Sequence, residues 1–264
     1  QMRAEFADFD TGVEVLVVEE DQPLGTGGAI ANCREHIRGS RAIVMNGDLI
    51  TTVDVQDMLS HHVKSDSLVS ISLWPVEDPT RFGVADFDQK KGLIRRFQEK
   101  PSLEEAYSNL INAGCYIIET SVIQGLSTEF HSMERDVFPG IAESGRMGGY
   151  RYSGRFIDAG TPASYLEAMV AAIEDNSFNI GGIVGTSWYA DPKMSKKGIE
   201  NSAVGMGCKL GDGIRVNRSA ILEGARIGEN VHLDNCLIGR GSMVPANSRL
   251  VDMVIGFNQQ YQRK

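Results

Sequence analysis

The chain has 264 residues, 42% hydrophobic and 23% charged, an ordinary balance for a folded globular protein and enough length for one large domain or two of average size. A formal net charge of -9 argues against a general nucleic-acid binder, so an anionic ligand must be held locally by a metal ion, a few Lys or Arg side chains, or backbone N–H groups. No apolar run reaches the roughly 18 residues that cross a membrane, the opening residues QMRAEF carry no basic and apolar pattern from which a signal segment would be expected, and four widely spaced cysteines (Cys33, Cys115, Cys208, Cys236) argue against a zinc or disulfide framework and for a reducing cytoplasm.

In chain order, residues 13–18 (VEVLVV) are an apolar, β-branched run that predicts a buried strand. Helical spacing follows over 27–37, a second buried strand over 41–45 (RAIVM), and a helix over 53–64. Residues 68–74 (LVSISLW) alternate as a strand does. Runs 84–87 and 93–97 flank the turn-rich DQKKG and predict a hairpin. A strand is expected over 111–119 and helices over 134–144 and 162–175, the last with Thr161 as N-cap and Pro162 in its first position. Strands alternating with helices predict an α/β, Rossmann-like domain with a mostly parallel sheet covered on both faces.

Beyond about Trp188 the helical period stops and a shorter one begins. Val204, Leu210, Val216, Leu222, Ile227, Leu233, Ile238, Val244, Leu250 and Ile255 recur every five or six residues, several followed by Gly. That is the hexapeptide pattern of a parallel β-helix, in which three short strands make one triangular coil and each branched residue fills the narrow core. The expected division is an α/β domain at 1–178, a linker at 179–197 and a β-helix at 198–264.

Four constellations are candidates for chemistry. EDQPLGTGGAI (20–30) joins a strand to a helix, where glycines and the helix N-terminus suit an anionic or polar group, or simply a tight turn. Asp48, in VMNGDLIT, follows a strand at the sheet edge where α/β proteins bind ligands; its carboxylate suits Mg²⁺ or a turn. Asp158, in RFIDAGTP, stands in an equivalent place and is able to share that metal or cap the following helix. Glu99-Lys100 sets an acceptor beside a cation, either to bind a sugar hydroxyl and a phosphate or as a solvated pair.

The stretches EEDQPLGTGGAI, MNGDLIT, RFGVADFD, FQEKP, INAGCYIIE, MERDVFPGIAE and FIDAGTPASYLEA, in this order, resemble the sugar-1-phosphate nucleotidyltransferase family. The tail, with NRSAILEGARIGENVHLDNCLIG, looks most like the mannose-1-phosphate guanylyltransferase branch, and the resemblance implies that the tail is a left-handed β-helix. It also implies transfer of a nucleoside monophosphate from an NTP, GTP by preference, to a sugar 1-phosphate, mannose 1-phosphate by preference. The residues implied are Asp48 and Asp158 on Mg²⁺; Gln22, Pro23, Gly25, Thr26 and Gly47 on the nucleotide; and Gly83, Glu99, Lys100, Asn112 and Gly114 on the sugar phosphate, with Lys100 on its phosphate group. A homo-oligomer assembled through the tail is also implied. The chain departs from the family at its start: the GGxGTRLxPLT signature that wraps the triphosphate is absent, which makes a fragment the expectation and an inactive paralogue the alternative. Two other functions stay open. One is a regulatory or scaffold subunit that binds a nucleotide-sugar. The other is a hexapeptide acyltransferase, for which His232 is the one base candidate in the tail.

Overall fold

A computed structural model of the chain describes residues 12–175 and 180–262. The chain forms two compact units, Gln1–Gly47 with Thr52–Phe156, and Asp48–Thr51 with Ile157–Lys264.

The first unit is built on a six-stranded sheet of order β1-β6-β3-β7-β5-β4. Its strands are β1 (Arg41–Met45), β3 (Val69–Pro75), β4 (Gly83–Asp88), β5 (Leu93–Glu99), β6 (Leu110–Glu119) and β7 (Met147–Arg151); β2 (Leu49–Thr51) lies outside it. The period of two divides β6 between two cores. Tyr116 and Ile118 join Val69, Ile71 and Leu73 on one face, against Ala31 of α1 (Gly25–Asn32), Ile123 of α3 (Thr120–Gly125) and Phe138 and Ala142 of α4 (Phe138–Glu143). Ala113, Cys115 and Ile117 face the other way, against Met58 of α2 (Val55–Lys64). The helices thus cover both faces, as expected.

Strand direction differs from the expectation. Among the described residues the β3–β7 pairing is parallel, while β1–β6, β3–β6, β4–β5, β4–β6 and β5–β7 are antiparallel. The cause is β6, which runs opposite to β1 and β3 and lies between them, together with the β4–β5 hairpin added beside β7. β7 itself has no strand signal in the sequence, because Gly148-Gly149 weakens propensity there. The glycines are set by packing: a Cβ at Gly148 would strike Ser70 Oγ, and one at Gly149 would lie 2.7 Å from the Phe87 ring.

Three other expectations change. Residues 13–18 form no strand, and Val13, Val15 and Leu16 are exposed, because apolar β-branched character makes a strand only where a sheet edge pairs with it. Among the described residues β1 pairs on one side only, so the run read as buried leaves Ile43 and Met45 exposed. The helix expected over 134–144 is a π-helical turn, Met133–Val137, followed by α4.

The second unit contains β2 paired with β8 (Phe156–Asp158), then α5 (Pro162–Glu174), then a stacked solenoid. Thr161 caps α5 as expected, accepting from the Ser164 N–H while the Ser164 hydroxyl accepts from the Thr161 N–H. The parallel stack begins where Ser187–Tyr189 pairs with Ala203–Val204. Val204, Ile221, Ile238 and Ile255 stand in register on one face, Ile199, Val216, Leu233 and Leu250 on the second, and Leu210, Ile227 and Val244 on the third. The inward residue at the fourth hexad is therefore Ile221, 1% exposed, and not Leu222. The five-residue step precedes Ile221, Ile238 and Ile255, so every coil closes over the same unequal triangle.

Candidate active site

The sugar-phosphate candidates come together in the first unit because β6 carries a bulge. Ile71 pairs with Tyr116, but Leu73 pairs with Asn112, so β6 spends extra residues between them. Gly114 takes φ +68° there, and the Cys115 N–H turns to Ser72 Oγ at 3.2 Å. Bulges re-aim side chains at the rims of sites, and here Asn112 folds back on its own loop, its Oδ1 accepting from the Gly114 N–H at 3.0 Å. The Asn112 amide also donates to the Tyr116 hydroxyl at 3.0 Å.

Gly83 and Glu99 are directly paired between β4 and β5. A side chain at position 83 would collide with the Phe97 ring and come within 2.9 Å of Glu99 Oε2. Glycine is thus what leaves room for the Glu99 carboxylate, which keeps 14% of its surface and lies 3.7 Å from Lys100 Nζ. Burial pushes the Glu99 carboxyl above its ordinary value, the nearby Glu134 charge adds to this, and Lys100 and Arg135 oppose it. Lys100 is exposed and held at φ +49°, its N–H on the Phe82 carbonyl at 3.0 Å.

The glycine-rich segment opens α1, with Gly25 at φ +71°. It is fastened to a passing chain: the Gly27 N–H donates to the His131 carbonyl at 3.0 Å, and the His131 N–H to the Leu24 carbonyl at 3.1 Å. A Cβ at Gly28 would stand 2.7 Å from the Glu129 carbonyl oxygen. Gly28 is therefore glycine because another backbone passes against it and Gly27 because the His131 ring does, while Gln22, Pro23 and Thr26 stay exposed. Gly47 is different, since a Cβ there would meet nothing within 4 Å.

Sequence reasoning gave no role to Glu134 or Tyr116. Glu134 accepts from Thr26 Oγ1 at 2.6 Å, Ser132 Oγ at 2.7 Å and the Tyr116 hydroxyl at 3.3 Å. The only signal for it was its place in the MERDVFP stretch. A π-helical turn is a local strain that recurs at functional sites, but the sequence does not announce one.

In the second unit Asp48 precedes β2 and Asp158 ends β8. The Ala159 N–H donates to the Asp48 carbonyl at 2.8 Å, which aligns the two strand ends. A point one bond from the Gly160 Cα lies 3.0 Å from Asp158 Oδ1 and 3.1 Å from Asp48 Oδ2, so these oxygens are at most about 6 Å apart. Asp158 also accepts from the Gly160 N–H at 3.0 Å. Two carboxylates converging beside a glycine are a hard-oxygen pair that fits Mg²⁺. Among the described residues no group of three or more His, Cys, Asp or Glu is arranged to hold a metal by itself.

His232, on the outer face of the solenoid, stands in register between Arg215 and Arg249. No helix is long and apolar enough to cross a membrane among the described residues.

Known proteins share both halves. The family described as Nucleotidyl transferase matches residues 2–175, and a GlmU-like, C-terminal hexapeptide region matches 174–264. A mannose-1-phosphate guanylyltransferase of Mycobacterium tuberculosis is 32% identical over 81% of this chain and 61% of its own length. The catalytic subunit beta of the enzyme of that name in Danio rerio is 32% identical over 64% of this chain and 46% of its own. The chain thus spans about half to three fifths of these relatives. The crystal structure of HddC from Yersinia pseudotuberculosis, also solved with GMP-PN, superposes with a TM-score of 0.52 at 30% identity, over 63% of this chain and 71% of that one. A bulged β6 that gathers polar groups at one rim, and a family match that covers this whole sheet, lead to one conclusion: the chain belongs to the nucleotidyl transferase family and carries a hexapeptide β-helix behind that domain.

Proposed function

We propose that the protein transfers a nucleoside monophosphate from an NTP, with GTP preferred, to a sugar 1-phosphate, with mannose 1-phosphate preferred. A phosphate oxygen of the sugar phosphate attacks the α-phosphorus, a P–O bond forms, and the bond to the β-phosphate oxygen breaks as pyrophosphate leaves with its electron pair. The nucleophile is already anionic, so catalysis consists of positioning and charge neutralisation. Glu99 accepts a sugar hydroxyl, Lys100 neutralises the sugar phosphate, and Gly83, Asn112 and Gly114 shape the surrounding wall. Gln22, Pro23, Gly25, Thr26 and Gly47 line the nucleotide side. Asp48 and Asp158 hold Mg²⁺, which when bound neutralises charge on the transferring phosphate.

The observation that carries this reading is the grouping of Gly83, Glu99, Lys100, Asn112 and Gly114 along neighbouring strand ends, with Gly83 and Gly114 each required by geometry. The names of the relatives and the GMP-PN complex of the Yersinia protein support guanine and mannose. Four free thiols support a cytoplasmic location. Pyrophosphate release with Mg²⁺, each of the common NTPs and a panel of sugar 1-phosphates tests the reading. Turnover highest with GTP and mannose 1-phosphate is expected, in this chain or in the full-length gene product. No turnover from either with any pair would refute it.

We also propose a homo-oligomer assembled through the β-helix, on the strength of its exposed Met206, Val251, Val254 and Phe257. Light scattering that returns the monomer mass at all concentrations would count against it.

A further inference from the structure

Glu134 takes no part in the chemistry above, yet it joins two segments that do. Its Oε2 accepts from Thr26 of the glycine-rich loop at 2.6 Å, and its Oε1 accepts from the Tyr116 hydroxyl at 3.3 Å. Tyr116 is 1% exposed, so water is no substitute partner for that hydroxyl. Its one proton goes to Glu134, and its oxygen accepts from the Asn112 amide at 3.0 Å. The other end of that amide accepts from the Gly114 N–H at 3.0 Å. Every donor and acceptor along the line is therefore fixed in direction: Thr26 and Tyr116 give protons to the carboxylate, and Tyr116 thereby receives from Asn112. The Thr26 oxygen also accepts from the Met133 N–H at 2.9 Å, which ties it to the start of the π-helical turn. Ser132 anchors the carboxylate from the third side, donating to Oε2 at 2.7 Å and accepting from the Glu134 N–H at 3.2 Å.

We propose that Glu134 is a positioning residue that couples the nucleotide side at Thr26 to the sugar-phosphate side at Asn112, so that an ordered loop on one side orders the amide on the other. This rests on the function proposed above. A carboxylate that merely held the π-helical turn in place would need Ser132 alone; the link through Tyr116 adds nothing to the turn and everything to Asn112. Hydrogen-bonded chains of this kind give non-additive effects at their two ends.

The test uses the intact chain and isothermal titration with two probes, mannose 1-phosphate and a non-hydrolysable GTP analogue with Mg²⁺. Thr26→Val should weaken mannose 1-phosphate binding about fivefold, and Asn112→Ala should weaken the GTP analogue by a similar factor, the size expected for coupled neighbours in one network. In a Tyr116→Phe background, Thr26→Val should leave mannose 1-phosphate affinity unchanged. That background keeps the ring packed edge-on against Phe138, with centroids 5.3 Å apart, so it removes the relay and leaves the core. Glu134→Gln, which keeps one acceptor and replaces the other by a donor, should retain part of the cross-effect, while Glu134→Ala removes it. If Thr26→Val affects the GTP analogue alone, or its effect on mannose 1-phosphate persists in Tyr116→Phe, the coupling is overturned and the proposed function stands. If neither probe binds the parent chain or the full-length gene product, the proposed function falls and the coupling falls with it.

Discussion

The Gly27 Cα faces the imidazole of His131, and a methyl group there would overlap the ring. That ring is itself fixed: Nδ1 donates to the Glu129 carbonyl at 2.9 Å, and Nε2 is buried without a hydrogen-bond partner. Gly27→Ala is expected to cost about 1–3 kcal/mol, the usual penalty for overpacking. Urea denaturation of Gly27→Ala, His131→Ala and the double variant checks this: the alanine at 27 should cost little once the ring is gone, and an equal cost with and without the ring would exclude the clash as its cause. Glu99 makes a second residue-level prediction. Its folded-state pKa is raised, chiefly by burial, so folding favours its protonated form. Its contribution to stability is fully present below the ordinary value of 4.5 and is lost as pH rises through the raised value. Thermal melts should therefore show the wild type losing ground to Glu99→Gln as pH climbs above 4.5, and a constant difference would mean that the carboxyl is not perturbed. The placement of Asp48 and Asp158 beside strand ends was legible from sequence because a strand-end carboxylate before a helix or turn is a local pattern. Glu134 was not legible, since its partners Thr26 and Tyr116 lie 108 and 18 residues away.

Among the elements, the solenoid shows how a local rule propagates. Ser187, Ser202 and Ser219 are buried at one corner of successive coils. Ser187 Oγ accepts from the Ser202 N–H at 3.2 Å, Ser202 Oγ from the Ser219 N–H at 3.0 Å, and Ser219 Oγ from the Cys236 N–H at 2.9 Å. The Ser202 and Ser219 hydroxyls also donate to carbonyls two residues back in the chain, Glu200 at 2.6 Å and Asn217 at 2.7 Å. Cys236 occupies the next rung and gives its thiol to the Asp234 carbonyl at 3.3 Å. Ser219→Ala leaves the buried Cys236 N–H unserved, while the Asn217 carbonyl keeps the Asn235 N–H at 3.1 Å, and should cost about 1–3 kcal/mol. Ser219→Cys should cost less, because Cys236 already fits this corner; chemical denaturation of the two variants gives the comparison, and equal losses would show that the corner needs the hydroxyl itself and that a thiol of similar shape restores nothing. The hexads were readable because branched residue, small residue and turn all lie within one repeat. The error at Leu222 came from the five-residue step, which sets Ile221 inward and is visible only when whole coils are aligned. β7 was unreadable for the opposite reason, since its two glycines answer to Ser70 and Phe87 on other strands.

For the whole molecule, the two units differ in how far a disturbance spreads. In the first, β6 touches both cores and pairs with β1, β3 and β4, so a change there reaches every layer. This is also why its topology escaped sequence reading: the hydrophobic pattern records that β6 is buried on both faces, but not that it runs against its neighbours. In the solenoid each coil meets only the coils before and after it, and stability is close to a sum of neighbour terms. Ile238, fully buried, stands in register between Ile221 and Ile255. Ile255, 6% exposed, has Ile238 as its in-register partner on one side among the described residues. Ile238→Ala should therefore cost about 2–5 kcal/mol, within the range for a buried Ile, and Ile255→Ala roughly half of that. Native-state hydrogen exchange gives the sharper reading. Ile238→Ala should speed exchange at the N–H groups of Leu222 and Gly239, which donate to the Ile238 and Ile255 carbonyls at 2.9 and 2.8 Å, and leave Tyr189 near the other end of the stack unchanged. Uniform loss of protection along the stack would mean that the coils unfold as one cooperative block and would refute the neighbour-by-neighbour account.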